Sequence, residues 1–391
     1  MIVQPKYRGF ICLTSHPTGC YKNMEDMAQA ARAACVSTDQ APKNVLVVGA
    51  SGGYGLASRM VSAFACGAKT VGVSFEKEGG GNRTATAGHY NNRAFADLSA
   101  EAGLAKSTVN GDAFATETKK AAVAACRETF GGAPVDLLVY SLGAPRRVHP
   151  VSNITYNSVL KPIGKPYTNK TVDFHTNAVS EITIAPATEE EIAATVQVMG
   201  GEDWGMWVDA LLSENMLAEN CRTLAYTYVG PPLTHPIYRD GTIGKAKDDL
   251  AAHCRSIDEK LRPLGGSALL SVNKALVTQS SSAIPVVPLY MAILYKIMKS
   301  QNVHEGYLEQ ITRLFAGIYA NGPVERDAEG RIRMDDYEMQ PAVQDEVNRL
   351  WPLVTSENVE ELTDIRGYRE AFFSLFGFGR ADLNYELDVD V

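Results

Sequence analysis

The sequence has no paired metal-ligand spacing, no uninterrupted apolar run long enough to span a bilayer, no basic excess, no internal repeat and no low-complexity tract. Each absence removes a class of protein. Seven cysteines (12, 20, 35, 66, 126, 221, 254) are scattered and odd in number, and Cys66, Cys126 and Cys221 fall inside apolar patterns. That argues against a disulfide framework and for a reduced, cytoplasmic protein. His16 and Cys20 have no second pair to complete a metal site, so His16-Pro17-Thr18-Gly19-Cys20 reads as a structural loop. The most apolar segment, Ala283 to Met298, is broken by Pro285 and Pro288 and carries Lys296. It falls short of the roughly 20 residues of a spanning helix, so it reads as a buried helix or pocket element, with no membrane insertion. The start, MIVQPKYRGF, has no leader-like apolar core and is expected to be mature. A net charge of −8 argues against nucleic acid or an anionic membrane as partner. The 391 residues, 45% hydrophobic and 21% charged, suffice for a large core, in two domains or one elaborated α/β domain.

What is present is concentrated between Asn44 and Glu78. Val45, Leu46, Val47 and Val48 form a continuous apolar run, the pattern of a strand buried on both faces. The turn Gly49-Ala50-Ser51-Gly52-Gly53-Tyr54-Gly55 follows, and Leu56, Ala57, Met60, Val61, Phe64 and Ala65 make a helical apolar stripe. Val71, Val73 and Phe75 then alternate in a second strand ending at Glu76. Glycines in such a turn allow a sharp exit from the strand, close approach of backbone N–H groups to a pyrophosphate, and tight helix–strand packing. The spacing Gly49-x3-Gly53-x-Gly55 is the looser, short-chain-dehydrogenase-like form of a dinucleotide turn.

Further along, helices are expected at Met24–Cys35 (with Asn23 near the cap), Tyr90–Glu101, Thr116–Phe130, from Thr188 to Met199, Glu202–Ser213 and Lys245–Leu261. Strands are expected at Ser107–Asn110, Val135–Tyr140, Thr223–Val229 and Ser267–Val272. Residues 146–187 break the alternation and read as an inserted β-hairpin or small antiparallel piece, with turn signals at Thr168-Asn169 and Thr176-Asn177. Trp204 and Trp207, one turn apart, read as core. The rest is mostly helical, with a polar turn at 325–330 and an acidic, extended end. The fold class is therefore α/β, a Rossmann-like doubly wound parallel sheet. It is read as a single elaborated domain (1–391): a cofactor-binding core at 44–145, the β-rich insertion at 146–187, and substrate-pocket helices with the remaining strands at 188–391.

In such a sheet, ligands bind outside the carboxyl ends of the strands. Those ends supply Gly49, Ser51, Gly53, Tyr54 and Gly55; Phe75 and Glu76; Asp112 and Ala113; Ser141 and Leu142; Tyr228; and Leu276, Val277 and Thr278. Glu76 is placed to accept from the adenosine ribose hydroxyls and to repel a 2′-phosphate, which favours NADH over NADPH, although Lys77 and Arg83 stand nearby. Phe75 stacks on adenine or is core, and Asp112 binds adenine or caps a helix. Tyr238 and Lys247 are separated by eight residues. Gly241 and Gly244 interrupt any helix joining them, so Tyr238 is expected on a loop and Lys247 in the first turns of a helix, with Lys245 as its rival. The phenol would stabilise a carbonyl oxygen gaining charge, while Lys247 holds the cofactor ribose and keeps the Tyr238 pKa low.

Long blocks carry a family resemblance: HPTGC (16–20), VGASGGYGLASR (48–59), GVSFEK (72–77), NGDAF (110–114), VYSLGAPRR (139–147), LKPIGKP (160–166), MGGEDW (199–204), YRDGTIGKAK (238–247), VTQSSSAIPVVPLY (277–290) and RMDDYE (333–338). On these, nearly end to end, the chain closely resembles the trans-2-enoyl-CoA reductases and the V-type bacterial enoyl-acyl-carrier-protein reductases. Gly52 and Gly143 depart from it, standing where larger residues are common. The resemblance implies NADH-dependent reduction of the 2,3-double bond of an enoyl thioester. Tyr238 and Lys247 match the family's catalytic pair, and Tyr228, Tyr54 and Asp112 match residues linked with activity or cofactor use. Arg146 and Arg147 are candidate contacts for substrate phosphates, and Ile284 and Leu289 for the acyl chain. The implied substrate is an enoyl-CoA or an enoyl-acyl-carrier protein; an acidic chain repels an acidic carrier protein unless it has a basic patch, a mild argument for CoA. A monomer or weak homodimer is expected. The rival readings are a carbonyl-reducing short-chain dehydrogenase and a non-catalytic NADH sensor.

Overall fold

The computed structural model describes all residues except 37 and 321–323. Its centre is a seven-stranded sheet of β1 (Asn44–Val48), β2 (Lys69–Ser74), β3 (Lys106–Asn110), β4 (Val135–Tyr140), β5 (Leu217–Thr227), β6 (Ser267–Val272) and β7 (Ile332–Arg333). All pairings are parallel, in the order β3-β2-β1-β4-β5-β6-β7. The order reverses between β1 and β4, which makes their carboxyl ends the topological switch point where such sheets bind ligands.

The continuous apolar run of β1 is explained by its two faces. Val45 and Val47 join Leu137, Val139 and Leu224 in one core cluster, while Leu46 and Val48 join Leu138, Tyr140 and Ala225 in another. The first is covered by α1 (Pro17–Ala34), α2 (Gly53–Met60), α3 (Ala87–Glu101) and, later in the chain, the helix Tyr307–Tyr319. The second is covered by α4 (Thr116–Thr129) and two helices that follow the insertion, beyond α5 (Glu189–Met199): α6 (Glu202–Ser213) and α7 (Thr242–Leu261). Trp204 and Trp207 are fully buried there. A third cluster surrounds α8 (Val287–Ser300), the buried helix read at Ala283–Met298. After α9 (Tyr307–Tyr319) come α10 (Pro341–Leu350), the single turn α11 (Val359–Leu362) and α12 (Ile365–Ser374), of which α10 and α12 pack on α8.

Several expectations are corrected. Helix α1 begins at Pro17, not near Met24: His16 caps it, its Nδ1 accepting from Gly19 N–H at 3.1 Å, and proline suits the first helical position. The HPTGC segment is therefore a helix start. Two hairpins, not one, occupy 146–187: Arg146–Val148 with Thr155–Asn157, and Tyr167–Asp173 with Ala178–Ile184. Thr168-Asn169 lies within a strand, and only Thr176-Asn177 sits in a turn, where Asn177 adopts φ 63°. Strand β2 ends at Ser74, leaving Phe75 and Glu76 just beyond it, and β5 starts at Leu217, ahead of an irregularity before Arg222. The seventh strand, only two residues long, had no sequence pattern of its own.

Candidate active site

A cleft of about 1610 Å³ opens across the carboxyl ends of the sheet. At its floor Gly49 leaves β1 with φ 85°, and a Cβ there would stand 2.0 Å from Ser141 O. A Cβ at Gly55 would meet Gly49 O at 2.0 Å, so this glycine sets the close packing of α2 on the turn. Gly53, at φ 53°, opens α2, and Gly52 caps it with no side-chain hydrogen bond. The N–H groups of the first turn are thus left to a ligand, with the positive end of the helix dipole behind them. A Cβ at Gly52 or Gly143 meets nothing within 4 Å, so a larger side chain has room at both positions.

At the end of β2, Phe75 is 73% exposed on the cleft wall, an apolar ring without a core role. Glu76 accepts Ser51 Oγ and Thr86 Oγ1, each at 2.5 Å on a different carboxylate oxygen. Gly88 abuts it: a Cβ there would stand 2.2 Å from Glu76 Oε1. The acid is therefore fixed facing the cleft, while Lys77 and Arg83 border it as exposed side chains. Beyond β3, Asp112 Oδ1 accepts the Phe114 N–H at 3.0 Å, shaping the loop before α4. That loop rests on an ion pair the sequence did not reveal. Lys119 Nζ donates to Ala113 O at 2.8 Å, to Phe114 O at 3.1 Å and to Asp203 Oδ1 at 2.7 Å, and Tyr140 Oη donates to Asp203 Oδ2 at 3.2 Å. Burial raises the Asp203 carboxyl and lowers the Lys119 ammonium.

Ser141 and Leu142 line the cleft after β4, and Leu276, Val277 and Thr278 after β6. Val277 already uses its backbone: its N–H donates to Tyr295 Oη at 3.0 Å and its carbonyl accepts from Tyr307 Oη. Tyr54 lies against Tyr307 and Tyr226, with its Oη 2.8 Å from Lys274 O and 2.9 Å from Gln310 Oε1. Lys247 lines the cleft from the second turn of α7, whereas Lys245 is exposed and near Asp248. The Lys247 ammonium has one contact among the described residues, Tyr226 O at 3.4 Å, and burial depresses it to about 8.

Two residues beyond Tyr226, Tyr228 meets Tyr238 edge to face, with centroids 4.9 Å apart and rings at 90°. Lys247, Tyr228 and Tyr238 thus gather around the carboxyl end of β5. Tyr238 sits on the turn before α7, held by its N–H to Thr234 O at 2.9 Å, and its hydroxyl has no hydrogen-bond partner among the described residues. Burial raises the Tyr238 phenol, and it alone acts on it, so the expected lowering by Lys247 is not found. Tyr228 and Tyr238 pack against the α8 core cluster, in which Ile284 and Leu289 are buried; none of these four lines the large cleft. Arg147 is excluded as a phosphate contact, since its buried guanidinium donates to Gln197 O at 2.6 Å and Glu202 Oε2 at 2.7 Å. Arg146 is exposed at the cleft rim. Sequence reasoning also missed Lys274 and Glu338, buried beside the tyrosines; the block RMDDYE marked the second without giving it a role.

Sequence profiles cover nearly the whole chain. The NAD(P)H binding domain of trans-2-enoyl-CoA reductase matches residues 2–81, the trans-2-enoyl-CoA reductase catalytic region matches 83–319, and the enoyl reductase FAD binding domain matches 326–389. The trans-2-enoyl-CoA reductase (NADH) of Ruminiclostridium cellulolyticum is 52% identical, over 100% of this chain and 98% of that protein. An enoyl-(acyl-carrier-protein) reductase (NADH) of Coxiella burnetii is also 52% identical, over 100% and 96%. The crystal structure of Treponema denticola trans-2-enoyl-CoA reductase in complex with NAD is 47% identical, with a TM-score of 0.95 over 100% of this chain and 98% of that one. Identity of this order along the full length, on a backbone that matches from end to end, makes this chain a member of the trans-2-enoyl-CoA reductase family.

Proposed function

We propose that the protein reduces the 2,3-double bond of a trans-2-enoyl thioester with NADH. The observation that carries the reading is a pair of donors left open at the end of β5. Among the described residues, the Lys247 ammonium makes a single long hydrogen bond and the Tyr238 hydroxyl makes none. The cofactor fits this chain's residues. The uncapped first turn of α2 suits the pyrophosphate, Phe75 the adenine, Glu76 the ribose diol, and Lys247 the second ribose. When bound, NADH supplies the hydride to the substrate β-carbon. Tyr238 would then hold its proton toward the enolate, and its hydrogen bond strengthens as charge develops there.

A flavin does not fit. Residues 326–389 contribute to the cleft only Gly367, Ala371 and the Ser374–Phe376 turn, and among the described residues they contain no glycine turn after a strand. Seven unpaired thiols support a reducing, cytoplasmic setting.

The test is NADH oxidation with crotonyl-CoA, wild type beside Tyr238→Phe. Loss of one donor to the developing charge lowers kcat by about 100-fold or more, with NADH binding retained. Full turnover in the variant would take the acid role from Tyr238. A wild type that binds NADH but turns over neither crotonyl-CoA nor longer enoyl thioesters would sink the reading.

A further inference from the structure

Behind the tyrosine pair lies a carboxylate that the reaction as described does not use. Glu338 is 0% exposed, in the turn between β7 and α10. Its Oε1 accepts Tyr228 Oη at 2.8 Å and Tyr290 Oη at 2.7 Å, and its Oε2 accepts the Ala275 N–H at 2.7 Å. Gln344 fixes the direction of this chain. Its Nε2 donates to the Glu338 carbonyl at 2.7 Å and to Tyr290 Oη at 3.2 Å, so the Tyr290 proton points to Glu338. Burial raises the Glu338 carboxyl, while the Lys274 charge and the three hydrogen bonds act against that rise. Both oxygens of this carboxylate face donors, the two phenols on Oε1 and the Ala275 N–H on Oε2, which is the arrangement of a carboxylate that accepts at every position.

An ionised carboxylate only accepts, and a phenol has one proton to give. Tyr228 therefore directs its proton at Glu338 and cannot at the same time donate to a substrate. Its ring is confined as well: at Gly230, with φ 71°, a Cβ would stand 2.7 Å from Tyr228 Oη, so backbone already abuts the hydroxyl. Tyr238, in edge-to-face contact with the same ring, has no acceptor among the described residues.

We propose that Glu338 is a positioning residue that withholds the Tyr228 proton, so that of the two phenols at the end of β5 only Tyr238 donates to the enolate. This rests on the enoyl-thioester reading above. After hydride addition at the β-carbon, the Tyr238 O–H bond breaks and a C–H bond forms at the α-carbon. The phenolate left behind takes a proton from water, so one hydride and one proton enter the product. The role of Tyr228 in this scheme is to accept and to wall the site.

The test is a rescue. Glu338→Gln replaces an acceptor oxygen by an amide N–H that donates to Tyr228 Oη and frees its proton. In a Tyr238→Phe background, adding Glu338→Gln should raise kcat for crotonyl-CoA by about 10-fold over Tyr238→Phe alone, with the Kd for NADH unchanged. Adding Tyr228→Phe to that pair should abolish the gain. A merely structural Glu338 gives no gain in kcat in any background, so a double variant that binds NADH like wild type yet is no faster than Tyr238→Phe overturns the proposal. Should Glu338→Gln fail to fold, the single variants decide: Tyr228→Phe must lose at least 10-fold less kcat than Tyr238→Phe, and equal losses overturn the proposal. A wild type inert toward enoyl thioesters would instead sink the reaction itself, and this inference with it.

Discussion

Lys247 is a half-buried cation with one long hydrogen bond and no carboxylate partner among the described residues, and burial depresses it to about 8. Below pH 8 it is charged and donates charge-assisted hydrogen bonds to a ribose; above it, the neutral amine donates more weakly. NADH affinity should therefore be constant below about pH 7 and fall roughly 5-fold as the pH rises through 8, a change of about 1 kcal/mol. Fluorescence titration against pH measures this, and Lys247→Met should bind weakly at every pH without the inflection. Lys274 has the same value of about 8 but sits among the tyrosines with Glu338 as countercharge, so an inflection that survives in Lys247→Met would belong to it. Stability runs the other way. The folded value lies below the ordinary 10.5, so between about 8 and 10.5 the unfolded chain binds more protons, and this group's contribution to stability rises with pH there.

At the scale of elements, the wide Tyr–Lys spacing is a packing device between the Tyr238 turn and α7. A Cβ at Gly244 would stand 1.9 Å from Arg239 O and 2.8 Å from Tyr238 O, and one at Gly241 would stand 2.8 Å from Ile237 O. The turn folds directly onto the helix that carries Lys247. Helix propensity alone would make Gly244→Ala stabilising by about 1 kcal/mol, but overlap with backbone that cannot swing aside costs about 1–3 kcal/mol. The collision wins. Gly244→Ala should lower kcat about 10-fold or more while NADH affinity holds, because the turn moves and the glycine cradle does not. Wild-type kcat in that variant would show that the turn does not fix the Tyr238 position. The same contrast explains what could be read from the sequence. The β1–α2–β2 unit was legible because two-faced burial, glycine spacing and the closing acid are local signals. The start of α1 was not, because it depends on a proline and a histidine cap, and neither was β7, a two-residue strand made by the edge of β6. Glu338 escaped because its meaning lies in Tyr228, 110 residues away.

For the whole molecule, the cleft draws on the sheet ends and on helices from the α8 lobe, so a bound dinucleotide bridges parts of the fold distant in sequence. Its binding energy is then linked to global unfolding. At a concentration of 100 Kd, NADH stabilises the native state by about 2.7 kcal/mol. Unfolding entropy near 2.1 cal/mol/K per residue gives about 0.8 kcal/mol/K for a chain of 391 residues. The expected rise in Tm is thus about 3 °C. NADPH at the same concentration should raise Tm far less, because its 2′-phosphate meets the Glu76 carboxylate that Ser51 and Thr86 hold in place. Lys77 and Arg83 act in the opposite sense, but both are exposed and screened by solvent, whereas the acid is fixed at the end of β2. Glu76→Gln removes the repulsion and leaves hydrogen-bonding groups in place, so it should bring the two shifts together by raising that of NADPH. Equal shifts in the wild type would show that Glu76 sets no preference between the two cofactors, its repulsion being offset by the exposed basic pair.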